Sequence, residues 1–181
     1  LPTASNPNAL LTLLPASAIT NNGNLLLRSN SFGTGSIGPV PANATLGGNI
    51  TQERLMPSAD GWYFVGAPFK SGSTLSEWSE LNTRISPKLN ASFFEYSETD
   101  ASTGEANEMN GWKVPNTIAT AINPSNQPKG YRIYLGASNP TRLASVTGLP
   151  IVQNVSKALS FSPTTGYAGG GWNLIANPYP C

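Results

Sequence analysis

The sequence predicts an all-β fold, an antiparallel β-sandwich of jelly-roll or Greek-key type with at most one short helix near residues 74–81. Three observations carry that expectation. Eighteen Gly and sixteen Pro are spread along the 181 residues, and they cut the apolar stretches to strand length, about four to eight residues each. In Tyr131–Leu135 the apolar side chains Tyr131, Ile133 and Leu135 alternate with Arg132 and Tyr134, the period of a half-buried strand. Only 10% of the residues are charged, against a usual share of about a quarter, so Asn, Ser, Thr and Gly must build the solvated surface. Such surfaces are common outside cells.

Taken in order, residues 1–20 read as an N-terminal extension. Within them the apolar run Leu10-Leu11-Thr12-Leu13-Leu14 lies between Pro-rich flanks, and an uncovered apolar strand of this kind invites pairing. Leu10, Leu11, Leu13 and Leu14 either complete a sheet of their own chain or add to the edge of a neighbouring subunit by strand exchange. Residues 21–181 read as a single sandwich domain. Its strands are expected at Leu25–Arg28, Ile50–Leu55, Tyr63–Gly66, Phe93–Tyr96, Tyr131–Leu135, Val152–Val155, Ala158–Phe161 and Asn173–Ala176. Thr74 followed by Glu77 forms a capping-box pattern ahead of the apolar stripe Leu75, Trp78 and Leu81, which predicts the one short helix.

Two segments repeat each other. Gly61-Trp62 through Pro68-Phe69 matches Gly171-Trp172 through Pro178-Tyr179, and Gly111-Trp112 is a partial third copy without the Pro-aromatic end. Each full copy reads as a strand entered through a glycine turn and stopped where Pro cannot donate to the ladder. The indoles are expected as buried pegs between the sheets, since Trp is among the largest apolar groups a core can take. Trp112 is the indole expected to be most exposed, and so the candidate for stacking a ligand.

Several ordered motifs resemble a β-rich region of large secreted and cell-surface proteins of Bacteroidota. Asn24-Leu25-Leu26-Leu27-Arg28-Ser29 with Gly33-Thr34-Gly35-Ser36-Ile37-Gly38-Pro39 is similar to that region's "gNLTLrS…GTArIGp". Ile50-Thr51-Gln52-Glu53-Arg54-Leu55-Met56-Pro57 resembles "VTVERYIP", and Gly61–Phe69 resembles "GWRFLxxPV". Gly130–Tyr134 is similar to "GYxvY", and Gly171–Cys181 to "GWNLIGNPYPS", with Ala176 and Cys181 departing from the pattern. The resemblance covers residues 20–181 and implies export by type IX secretion to the cell surface or the medium, in proteins that continue toward a sorting domain. The chain is therefore expected to be a fragment or a processed product. The resemblance carries no catalytic residues with it.

The chemistry open to the chain is narrow. It contains no His, which removes the commonest general base and metal ligand. The one Cys, Cys181, has no internal partner for a disulfide. Ten Lys and Arg against nine Asp and Glu, without a basic cluster, give no footprint for nucleic acid. No apolar run reaches the roughly 20 residues of a membrane helix. Glu95, Glu98, Asp100, Glu105 and Glu108 lie close in sequence, and Asp100, Ser102 and Glu105 are weak calcium candidates, but a solvated hairpin loop is the first reading of this stretch. Neither a cofactor nor a catalytic residue is expected. The leading functional expectation is a non-catalytic structural or adhesive module outside a bacterial cell, associating with itself or with other surface proteins, with fibre formation by strand addition as its extension. The alternative is a carbohydrate-binding module that holds an attached enzyme on polysaccharide.

Overall fold

The computed structural model describes residues 9–58, 60–71, 73–81, 91–97, 111–117, 119, 128–136, 142–161 and 171–180. In chain order the strands begin with β1 (Leu10–Leu11), β2 (Ala18–Thr20), β3 (Leu25–Leu27), β4 (Ser29–Asn30), β5 (Gly33–Thr34), β6 (Ser36–Ile37) and β7 (Thr45–Gly47). They continue with β8 (Ile50–Leu55), β9 (Gly61–Val65), β10 (Phe69–Ser71), β11 (Phe93–Tyr96), β12 (Trp112–Lys113), β13 (Tyr131–Leu135) and β14 (Leu143–Pro150). Among the described residues the only helix is a 3₁₀ helix at Leu75–Leu81.

The fold is all-β and sandwich-like. One four-stranded sheet is ordered β10-β14-β8-β3, the other β12-β11-β13-β9, and both feed one buried cluster. The first sheet contributes Leu27, Ile50, Phe69, Ala144 and Val146; the second contributes Val65, Phe93, Tyr131, Ile133 and Leu135. The two-residue period explains which residues these are: along β13 every second side chain is buried, and along β14 the buried positions are Ala144, Val146, Gly148 and Pro150. β14 brings small residues to the interior because neighbours crowd it. A Cβ on Gly148 would lie 2.6 Å from the Ser71 carbonyl oxygen and 2.9 Å from Phe69 Cβ, so nothing larger than glycine fits.

The helix forms where the capping-box pattern places it. Glu77 accepts a bond from its own helix's Thr74 N–H at 3.3 Å and another from the Thr147 N–H of β14 at 2.8 Å. One carboxylate thereby caps the helix and satisfies a ladder donor. Trp78 is then fully buried.

Not all pairing is antiparallel. β1 runs parallel to β6, β2 to β7 and β3 to β8, so residues 10–27 lie beside residues 36–52 as two successive laps of a coil, the arrangement of a parallel β-helix. Apolar residues stack between the laps: Leu11 on Ile37, Ile19 on Leu46 and Leu25 on Ile50. The second-lap members are buried, and those of the first lap are only half-buried. Asn21 brackets the corner between β2 and β3. Its Oδ1 accepts from the Asn24 and Leu25 N–H groups, each at 2.9 Å, and its Nδ2 donates to the Asn49 carbonyl of the next lap.

Three expected strands do not form. Residues 152–155, 158–161 and 173–176 lie outside any strand. For the last two Asn173 supplies the reason: its side-chain amide takes the Ser160 N–H at 3.1 Å and donates to the Ser160 carbonyl at 2.8 Å, replacing a backbone ladder with a side-chain bracket. The segment still belongs to the body. Gly130 N–H donates to Leu174 O at 3.3 Å, and Ile37 N–H to Pro180 O at 2.7 Å.

Candidate aromatic binding face

The outer face of the second sheet is built by the alternation that builds its core. In β9 the side chains of Tyr63 and Val65 turn toward the core, so Trp62 and Phe64 turn away from it. In β13, Arg132 and Tyr134 are the outward pair. Register sets Tyr134 opposite Trp62 and Arg132 opposite Phe64 on one side and Phe94 on the other. Trp112 of β12 lies opposite Tyr96 of β11. Two Trp, two Phe, two Tyr and one Arg thus share a single surface.

The rings touch one another. Trp62 and Tyr134 have centroids 5.1 Å apart, Tyr96 and Trp112 are also 5.1 Å apart, and Phe64 stacks on Trp112 at 6.2 Å. Trp62 is 51% exposed and Phe64 68%, so the patch is contiguous and open, which scattered surface aromatics are not. This corrects the expectation that glycine-entered indoles are core pegs. The glycine at position 61 begins an edge strand whose period turns Trp62 outward, and Trp172 is 68% exposed. The buried indole is Trp78, on the helix. Trp112 belongs to the open face, as a half-buried member.

Arg132 sits at the centre. Its guanidinium carbon lies 4.1 Å from the Trp112 ring centroid, 4.4 Å from that of Trp62 and 5.1 Å from that of Phe94, all within cation–π range. Desolvation among the rings lowers its pKa below the ordinary guanidinium value. Nε is buried and has no hydrogen-bond partner. At the rim, Tyr134 Oη donates to Asp60 at 2.8 Å; that bond, followed by the Asp60 charge, raises the Tyr134 pKa above its usual value.

The acids whose side chains are described are engaged elsewhere. Glu53 accepts from Ser29 N–H, Asp60 from Tyr134, Glu77 from Thr74 and Thr147, and Glu95 pairs with Lys129. No group of three or more His, Cys, Asp or Glu among the described residues is placed to hold a metal. Asp100, Ser102 and Glu105 fall outside the described residues. No described helix is long and apolar enough to cross a membrane. The face was missed in the sequence because Trp62, Phe64, Arg132 and Tyr134 look like strand filler until pairing shows which side they share.

A second surface lies at the first lap of the coil. Leu10 is 59% and Leu14 70% exposed, while Leu13 is buried in the core and Leu11 packs against it. Each of β1, β2 and β3 has a ladder neighbour on one side only among the described residues. A third feature is a cleft of about 230 Å³ where the two full copies of the Gly-Trp repeat meet, with Gly66, Pro68, Leu174, Ala176 and Tyr179 in its walls.

Comparison with protein-family models, with curated proteins and with solved structures found no match to this chain.

Proposed function

We propose that this chain is a non-catalytic extracellular module of a bacterial surface protein, adhesive in role, and that it holds carbohydrate on the Trp62–Arg132–Trp112 face. This takes the alternative of the sequence reading as the mode of adhesion. The observation that carries it is the open aromatic surface, which places exposed rings of Trp62 and Phe64 beside a cation with free hydrogen-bond donors. The apolar C–H face of a sugar ring packs on such rings, while polar donors between them fix its orientation. The low charge content and the resemblance to exported proteins support an extracellular setting.

Affinity electrophoresis through gels containing a panel of polysaccharides tests the reading. Wild-type protein is expected to be retarded by at least one polymer, and Trp62→Ala to migrate freely. No retardation on any polymer would remove the carbohydrate role.

Self-assembly by strand addition is a second reading, favoured by the first lap of the coil. From Ala9 to Leu27 there is no charged residue, so β1, β2 and β3 present edges without the charges that usually discourage strand addition. Sedimentation velocity checks it: a concentration-dependent large species is expected for the full chain, and a monomer after deletion of residues 1–20. Monomeric behaviour of the full chain contradicts it.

A further inference from the structure

Resting on the carbohydrate reading, and naming the ligand class for that same face, we propose that the bound polymer is acidic: a uronate-bearing polysaccharide whose carboxylate is taken by the Arg132 guanidinium while its ring lies on Trp62 and Phe64. Cation–π contact with Trp62 and Trp112 holds the guanidinium in place but occupies none of its N–H donors. Among the described residues the Arg132 guanidinium makes no hydrogen bond and no ion pair, and its Nε is buried without an acceptor. A cation held this way normally has a carboxylate beside it, because an unsatisfied buried donor is costly. The described acids are committed to other partners; Asp60, the one at this face, is held by Tyr134. Among the acids whose side chains are described none is left for the guanidinium, and the ligand carboxylate fills that place.

The shape of the demand selects the ligand. Arginine presents a planar fork of donors that fits a carboxylate through two parallel bonds. One cation within a field of rings suits a polymer carrying one carboxylate per sugar. It does not suit a polyphosphate, which calls for clustered Lys and Arg that a chain of net charge +1 does not gather here. The face crosses four strands, or three interstrand steps of about 4.8 Å, so it is long enough to engage more than one sugar ring.

The test compares retardation in gels containing polygalacturonate, fully methyl-esterified polygalacturonate, dextran and dextran sulfate. The ester keeps the sugar ring and removes the charge. Wild-type protein is expected to bind polygalacturonate about tenfold or more tightly than the ester, the scale of a charge-assisted bond. Arg132→Gln should abolish that difference, Arg132→Lys should restore part of it, and Trp62→Ala should weaken binding to both polymers. Thermal midpoints matching wild type establish that each variant is folded, and Arg132→Lys preserves the test if Arg132→Gln is not. Equal binding to acid and ester, or acid preference that survives in Arg132→Gln, overturns the acidic assignment and leaves the carbohydrate reading standing. Dextran sulfate binding as strong as polygalacturonate and insensitive to Arg132 also overturns it, by showing general ion exchange. Failure to bind any of the four, together with failure on the wider panel, removes both proposals.

Discussion

The four tryptophans divide by environment, and the division has energetic consequences. Trp78 is 1% exposed and Trp172 68%, although Trp78 lies between Glu77 and Ser79 and Trp172 opens the more apolar stretch. Trp78→Ala is expected to cost about 3–5 kcal/mol by cavity formation, and Trp172→Ala no more than about 0.5 kcal/mol, as for other exposed positions. Urea denaturation of the two variants checks this directly. Tyr131 adds a pH dependence. It is fully buried, and burial, followed by the Glu95 charge, raises its pKa above the ordinary 10.0. The fold therefore favours the neutral phenol: this contribution is complete below pH 10 and is lost as pH rises through the elevated value. Thermal melts between pH 8 and 12 should show stability falling above about pH 10, with a shallower fall in Tyr131→Phe.

Among the elements, the Glu77 carboxylate bridges the helix and β14. Glu77→Ala removes the acceptor of both Thr74 N–H and Thr147 N–H. Leaving two partly buried donors without partners should cost about 2–3 kcal/mol, measurable as a lower denaturation midpoint with an unchanged m-value. The Thr-x-x-Glu pattern announced this helix and alternation announced Tyr131–Leu135, while Ile50–Leu55 and Phe93–Tyr96 were legible from strand-favouring composition between turn residues; all three segments form strands with those bounds. β14 escaped notice because Gly148 and Pro150 look like breakers. In the structure they occupy the crowded interior line of the longest strand, where small or ring-closed residues are what fits. The opposite error fell on residues 173–176, whose composition suits a strand but whose Asn173 side chain bonds the neighbouring backbone instead.

On the scale of the whole molecule, the sandwich was legible from the spacing of Gly and Pro, but the coil was not. Its strands are two or three residues long, too short to display a period, and parallel pairing between residues 10–27 and 36–52 is a non-local property. The binding face was hidden for a related reason. Alternation says that Trp62 and Tyr63 point opposite ways, and only the register with β13 says which of them joins Arg132. Leu10, Leu11, Leu13 and Leu14 looked equivalent in sequence, yet the lap geometry buries Leu13 and exposes Leu10 and Leu14.

The claim on which the functional account turns is that ligand contact is made through the Trp62–Arg132–Trp112 face. Each indole contributes one N–H resonance to a ¹H–¹⁵N spectrum, so the four tryptophans report separately. Titration with oligogalacturonate should move the Trp62 and Trp112 signals together while Trp78 and Trp172 stay in place. Movement of Trp172 alone, or no movement of Trp62 and Trp112 at saturating oligosaccharide, would contradict the account.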